Sequence, residues 1–276
     1  MIISRFESAN EFFDKFSPIW LENEATSGVL YRIAKSDKPG MHYFAGLDGS
    51  GRTTLTACLH PSDQIVFSSS DVESTETLAS FLVEQDLTVP GIFAPDPFSL
   101  AFAEHYTTKT GKHFEVVKQL GHYALKELEW RPLQTDLVRQ ATWADKSSLI
   151  EFRAASQSEG NTQRPIDPEK TVVQEIEAQT LYLLEVPDGE VVCTGSLQWD
   201  RSPRSGYVDN VYTATEHRQK GHATCLVHAL SSLILKKNLV ARLSVDLENL
   251  PAIAVYEKLG FNKDCQMDNL RQVSVS

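Results

Sequence analysis

A short apolar, strand-like run that enters a cationic glycine turn and leaves it as a long amphipathic segment restricts this chain more than any other stretch. It reads Val211-Tyr212-Thr213-Ala214-Thr215-Glu216-His217-Arg218-Gln219-Lys220-Gly221-His222-Ala223. A helix that begins after such a turn has several unpaired N–H groups, and its end carries partial positive charge. An anion binds there when the backbone can come close to it. Gly221 removes a Cβ from the approach, Ala223 keeps the next position small, and Arg218 and Lys220 add cationic charge. On these residues alone, a phosphate site and an ordinary capping turn are equally open.

The pattern Arg218-x-x-Gly221-x-Ala223 resembles the acyl-CoA pyrophosphate loop of the GNAT superfamily of N-acyltransferases. Further on, Glu248-Asn249-Leu250-Pro251-Ala252-Ile253-Ala254-Val255-Tyr256-Glu257-Lys258-Leu259-Gly260-Phe261 resembles a second motif of that family, in the family's order and at its separation. The Val211-Tyr212-Thr213 lead-in is similar to the branch of glycine N-acyltransferase-like proteins with an FR-type C-terminal domain. Thr215 departs from the proline that many members carry, which leaves the turn less rigid.

The resemblance implies an α+β (α/β) GNAT fold, a mixed central sheet flanked by helices. Two tandem lobes are expected: residues 1–130 as a degenerate GNAT-like lobe without a cofactor loop, and residues 136–276 as the acetyltransferase domain that binds acyl-CoA. In the first lobe Phe12, Phe13, Phe16, Ile19 and Trp20 recur at helical spacing between Ser8 and Glu22. Three β-like runs follow, His42 to Leu47, Thr53 to His60 and Gln64 to Ser69, with Asp48-Gly49 as a hairpin signal. Then come a helix from Ser74 to Glu84, a strand from Val89 to Phe93, a helix from Pro97 to Thr110 and a strand from Phe114 to Leu125. Phe98, Ala101, Phe102 and His105 are read as that last helix's inner face, and Gly111 as its C-cap.

Gly46 to Thr53 is one residue from a P-loop, with Arg52 in place of lysine. That mechanism needs a helix next, and Thr53 to Leu59 alternates like a strand, so nucleotide binding is not expected here. Where the third strand would enter a phosphate loop, the chain reads Ser68-Ser69-Ser70-Asp71-Val72-Glu73, an acidic turn that repels pyrophosphate.

Residues Glu127 to Asp136 read as a linker, and Leu137 opens a fresh strand and helix. The polar stretch from Ser156 to Lys170 reads as a loop between two helices, either a mobile one that closes over substrate or a plain connection. A helix follows from Val172 to Gln179, and Leu181 to Val186 and Val191 to Trp199 form a hairpin across Pro187-Asp188-Gly189. Gly206 to Thr213 is the strand that delivers the chain to the glycine turn, Leu243 to Leu247 is a short buried strand, and Phe261 to Val275 is left for the last one or two strands.

A net charge of −11 argues against a general nucleic-acid or anionic-membrane binder, because those need basic surface. Cys58, Cys193, Cys225 and Cys265 form no CxxC pair, which suits free thiols in a reducing compartment. The start, Met-Ile-Ile-Ser-Arg-Phe-Glu, lacks a signal-peptide core, so a soluble, cytoplasmic monomer or homodimer is expected.

Within the resemblance, backbone N–H groups of Gln219, Gly221, His222 and Ala223 are the expected pyrophosphate donors, with Arg218, Lys220 and Thr224 in the same loop. Main chain of Val211, Tyr212 and Thr213 would hold the acyl carbonyl, and Asn249 the pantetheine arm. Tyr256 matches the position whose hydroxyl protonates the departing thiolate. Asp209 shares a strand face with Tyr207 and is the candidate base, against a plain salt-bridged aspartate; His217 and His222 are further candidates. The spacing of His217, His222 and His228 suggests no metal site. The implied activity is N-acetyl transfer from acetyl-CoA to a primary amine of a small molecule or amino acid. A non-catalytic acyl-CoA-binding module and a protein or peptide N-acetyltransferase are the alternatives.

Overall fold

Three consecutive strands joined by tight turns, residues 42–69, pair antiparallel in the first half of this chain. The computed structural model describes residues 1–131, 137–159 and 166–273. Parts of the linker, of the 156–170 loop and of the C-terminal tail lie outside the described residues. The chain divides into two units that are not contiguous in sequence: Met1–Tyr123 with Ser244–Asn249 and Lys263–Ser276, and Ala124–Leu243 with Leu250–Asn262.

The elements of the first unit are β1 (Ile2–Phe6), α1 (Ala9–Glu22), α2 (Glu24–Ser36), β2 (His42–Leu47), β3 (Thr53–His60), β4 (Gln64–Ser69), α3 (Val72–Glu84), β5 (Gly91–Pro95), α4 (Phe98–Thr110) and β6 (His113–Leu125). Its strand order is β1-β2-β3-β4-β5, followed by the strand Asn262–Val273 and then β6. The β2–β3 and β3–β4 pairs are antiparallel and the β4–β5 pair is parallel. These strands bury both faces, and the period of two sorts their residues. Phe44, Leu55, Ala57, Ile65, Phe67, Ile92 and Ala94 pack with α3 and α4, while Tyr43, Ala45, Cys58, Val66 and Phe93 pack with α1 and α2.

Ser8 caps α1 through the Glu11 N–H, and Phe12, Phe16 and Trp20 are buried as the aromatic spacing predicts. The near-P-loop is a hairpin turn: Asp48 Oδ1 accepts the N–H groups of Ser50 at 2.9 Å and Arg52 at 3.0 Å, and strand β3 follows. Gly111 ends α4 at φ 70. The inner face of α4 is rotated from the expected one: Ser99, Phe102, Ala103 and Tyr106 are buried, and Ala101 and His105 are not. Ser99 is drawn inside because its hydroxyl donates to the buried Asp268 at 2.6 Å.

The second unit holds β7 (Val138–Gln140), α5 (Lys146–Glu159), α6 (Pro168–Glu177), β8 (Leu181–Glu185), β9 (Val191–Gln198), β10 (Ser205–Thr213), α7 (His222–Leu235), most of β11 (Val240–Asp246), and α8 (Leu250–Lys258). The last strand, β12 (Asn262–Val273), pairs antiparallel with β5 of the first unit's sheet, and all but its first residue is counted in that unit. Strands β7 to β10 pair antiparallel in sequence order, and β10 pairs parallel with β11. Helices α5 and α6 cover one face through Leu149, Val172, Ile176, Leu181 and Leu183. On the other face lies α7, brought close by two glycines. A Cβ on Gly206 would come within 2.7 Å of Ile234, and one on Gly195 within 3.1 Å of Leu226. Among the described residues no helix is long and apolar enough to cross a membrane.

Candidate active site

Strand β10 leaves its regular ladder just before the glycine turn. Its register with β9 runs Asp209↔Ser196 and resumes at Tyr212↔Thr194, so Asn210 and Val211 stand opposite Gly195 alone. Two residues against one is a β-bulge, which bends a strand and turns main-chain groups out of the ladder. Asn210 adopts φ 52, a left-handed conformation that asparagine tolerates better than most residues. On its other side, the parallel register with β11 stops at Tyr207↔Arg242. Val211 thus lies in the bulge, Tyr212 and Thr213 pair again with Thr194 and Cys193 of β9, and on the β11 side the parallel register has ended before all three.

Beyond it, Gln219 has φ 61 and Gly221 φ 85. Alternating left-handed residues turn successive N–H groups inward, the backbone concavity that takes anions. Gly221 is the N-cap of α7 and supplies no side-chain cap. The donors of the first turn, at His222, Ala223 and Thr224, thus point out of an uncapped helix end, and Gln219, Lys220 and Gly221 are exposed. No atom lies within 4 Å of the position a Gly221 Cβ would take, so glycine answers to the backbone conformation and leaves open space in front of the turn. The first unit makes the contrast: α3 starts at Asp71, whose carboxylate accepts the Ser74 N–H at 2.7 Å and fills that end with negative charge.

Arg218 does not face outward freely. It pairs with Glu159 at the end of α5, donates from Nε to Thr213 O at 3.1 Å and lies 5.5 Å above the Tyr212 ring. Glu159 also accepts from Tyr212 Oη at 2.7 Å. Its carboxyl is held below the usual carboxylate range by the Arg218 hydrogen bond first and the Tyr212 hydroxyl second. His222 is held below the ordinary histidine value by burial, then by His217 and Lys220, so it is a neutral member of the loop at pH 7. His217 Nε2 lies 3.2 Å from Glu190. Glu190, Glu216 and His217 bring potential ligand atoms within 4.8 Å of one another, but the two glutamates are exposed, a grouping common without an ion.

Tyr256 is buried on α8, with its ring edge-on to Phe261 at 6.0 Å. Burial pushes its hydroxyl above the ordinary tyrosine value, and the charges of Asp209 and Cys193 push it further. The phenol is therefore protonated at neutral pH, the state an acid must start from. Cys193 itself is buried, accepts from Thr213 Oγ1 at 3.2 Å, and has its thiol pushed up to about 12, chiefly by burial. Asp209 ion-pairs with Arg201, whose guanidinium also lies 5.3 Å over the Tyr207 ring, so Asp209 and Tyr207 share a strand face. Asn249 is exposed in the turn between β11 and α8, its N–H bonded to Asp246 O at 2.9 Å.

Three charged residues at the site escape a reading of the sequence: Glu159, Arg153 and Glu175. Arg153 on α5 and Glu175 on α6 form an ion pair with both side chains under 10% exposed. Glu175 reaches the bulge, where Asn210 Nδ2 donates to its Oε1 at 3.3 Å and to Ser196 Oγ at 3.3 Å.

The description "FR47-like protein" belongs to the family model that matches residues 195–270, the stretch that holds the bulge, the loop and Tyr256. A comparison with curated proteins gave no significant match. Among solved structures, an acetyltransferase of the GNAT family from Colwellia psychrerythraea is 14% identical with a TM-score of 0.64, over 99% of this chain and 100% of that one. A GCN5-related N-acetyltransferase from Sphaerobacter thermophilus is 14% identical at TM-score 0.65, over 99% and 96%. A tandem GNAT protein from the clavulanic acid biosynthesis pathway is 14% identical at TM-score 0.52, over 100% of both chains. Residues 195–270 thus match the FR47-like family model, and the chain shares its fold with these acetyltransferase structures.

Proposed function

We propose that the second unit is an acyl-CoA-dependent N-acyltransferase, in its simplest form an acetyltransferase acting on a primary amine of a small molecule or amino acid. The observation that carries this reading is the uncapped start of α7, with left-handed Gln219 and Gly221 exposed in front of it, directly after a bulged strand. These features fit the two ends of acyl-CoA, an anionic pyrophosphate and a thioester carbonyl that needs an N–H donor.

In this reading the Gln219 to Thr224 backbone holds the pyrophosphate, and the Val211 to Thr213 main chain orients the thioester. The neutral amine attacks the carbonyl carbon, the C–S bond breaks, the Tyr256 hydroxyl gives its proton to the thiolate, and the proton shed by the new amide nitrogen restores that hydroxyl. The proton lost by the ammonium leaves through water or through Asp209; the second route requires the Arg201 pair to open. His217, held by Glu190, and His222 are the other candidates for it.

Release of CoA thiol from acetyl-CoA, followed across a panel of amines and amino acids, tests the reading. Amine-dependent thiol release supports it. Tight acetyl-CoA binding with no release in the presence of any amine or peptide would favour the non-catalytic module instead.

A further inference from the structure

Helix α6 makes a charged connection to the bulge of β10. Glu175 sits near the end of α6 with 7% of its surface exposed. One carboxylate oxygen takes the Arg153 guanidinium, and the other faces Asn210 Nδ2 at 3.3 Å. A buried carboxylate without such partners would be costly, and this one has a cation on one side and an amide on the other. Asn210 is the residue with φ 52, the turning point of the bulge. Its N–H bonds Asp209 Oδ1 at 3.0 Å, and its side chain is fixed by Glu175 and by Ser196, whose hydroxyl also donates to Asp209 O at 3.3 Å. Every tie on the bulge side chain thus comes from α6 or β9 of the same unit.

We infer that Glu175, anchored by Arg153, is a positioning residue that holds Asn210 left-handed and so fixes the main-chain donors of Val211 to Thr213 against the acyl carbonyl. The inference rests on the proposed acyl-CoA reading and deepens it. A left-handed asparagine costs conformational energy, and a bulge can relax toward the regular ladder; the side-chain tie opposes that. The tie bears on the acyl group and not on the nucleotide, because the pyrophosphate donors lie beyond the bulge, at Gln219 to Thr224. Glu175 touches no reacting atom in this arrangement. It acts through Asn210.

Affinities for acetyl-CoA and for free CoA, measured by titration calorimetry on the full chain, separate the two ends of the ligand without any knowledge of the amine. Asn210→Gly keeps the left-handed backbone accessible and leaves the Arg153–Glu175 pair intact, so it folds even if Glu175→Gln does not. Both variants are expected to weaken acetyl-CoA about threefold to tenfold, the scale of one hydrogen bond, while CoA affinity stays within about twofold. The double variant is expected to lose little more than either single, since one tie is broken in each. Affinities for both ligands that shift together, or not at all, would overturn the inference and leave the acyl-CoA reading standing. Failure of the unmutated protein to bind either ligand would overturn the reading, and the inference with it.

Discussion

Asp71 Oδ1 accepts the Ser74 N–H at 2.7 Å, closing the start of α3, whereas Gly221 at the start of α7 offers no side chain and stands at φ 85. Both helices follow a strand, α3 after Ser70 and Asp71 and α7 after the longer loop of residues 214–221. One helix end is filled by a carboxylate, and the other carries no side-chain cap. The proposed division of labour between the two units rests on this difference.

Gly221→Val places a β-branched residue in the left-handed region, which costs about 1–2 kcal/mol and disfavours the loop conformation. We expect acetyl-CoA affinity to fall at least about tenfold, a change of about 1.4 kcal/mol, with the chain still folded. Calorimetry together with far-UV circular dichroism checks this. Undiminished affinity would mean that the pyrophosphate lies elsewhere.

Tyr256→Phe removes a hydroxyl that burial keeps protonated and leaves the ring that packs on Phe261. Turnover is expected to fall at least about tenfold, the lower end of general-acid effects, with acetyl-CoA affinity nearly unchanged. Steady-state kinetics with any amine accepted by the enzyme decides it. Equal turnover removes Tyr256 from the mechanism.

Glu159→Gln takes away the negative charge that occupies Arg218 beside the loop. Exposed pairs contribute about 1 kcal/mol or less, so acetyl-CoA affinity should rise no more than about fivefold. The gain should shrink with added salt, because the charges are at the surface. Weaker binding would show that Glu159 serves chiefly to shape the Tyr212 and Thr215 turn.

Several elements are legible in the sequence for simple reasons. Strands β2 to β4 alternate and are separated by turn residues, and the turn before α7 carries its glycine. Helix α2 is not legible, because Thr26, Ser27 and Gly28 dilute its apolar period, and the five-residue β1 is too short to show one. The partner of β12 cannot be read locally, since Met267 to Arg271 pair with residues Gly91 to Pro95 far back in the chain. Glu175 reads as solvent-facing on a charged helix. Its burial depends on Arg153, from another helix, and no local pattern announces that pair.

Acid titration gives a separate view of that pair. Burial, outweighing Arg153 and helped by Asp209, raises the Glu175 carboxyl above the ordinary glutamate value. A raised folded-state value means that the folded protein binds more protons than the unfolded one. The stabilising contribution is complete below the ordinary value and is lost as pH rises through the raised one. Glu175→Gln has no such titration, so its stability deficit against the unmutated protein should narrow from acidic to neutral pH. Urea melts at several pH values measure it, and a deficit that widens with pH would show that the Arg153 attraction dominates.

The stoichiometry of acetyl-CoA binding to the full chain, with and without Gly221→Val, tests the central claim most directly. One site per chain, lost in the variant, is the predicted result. Two sites, one site that survives the substitution, or none would contradict the assignment of acyl-CoA to the uncapped start of α7.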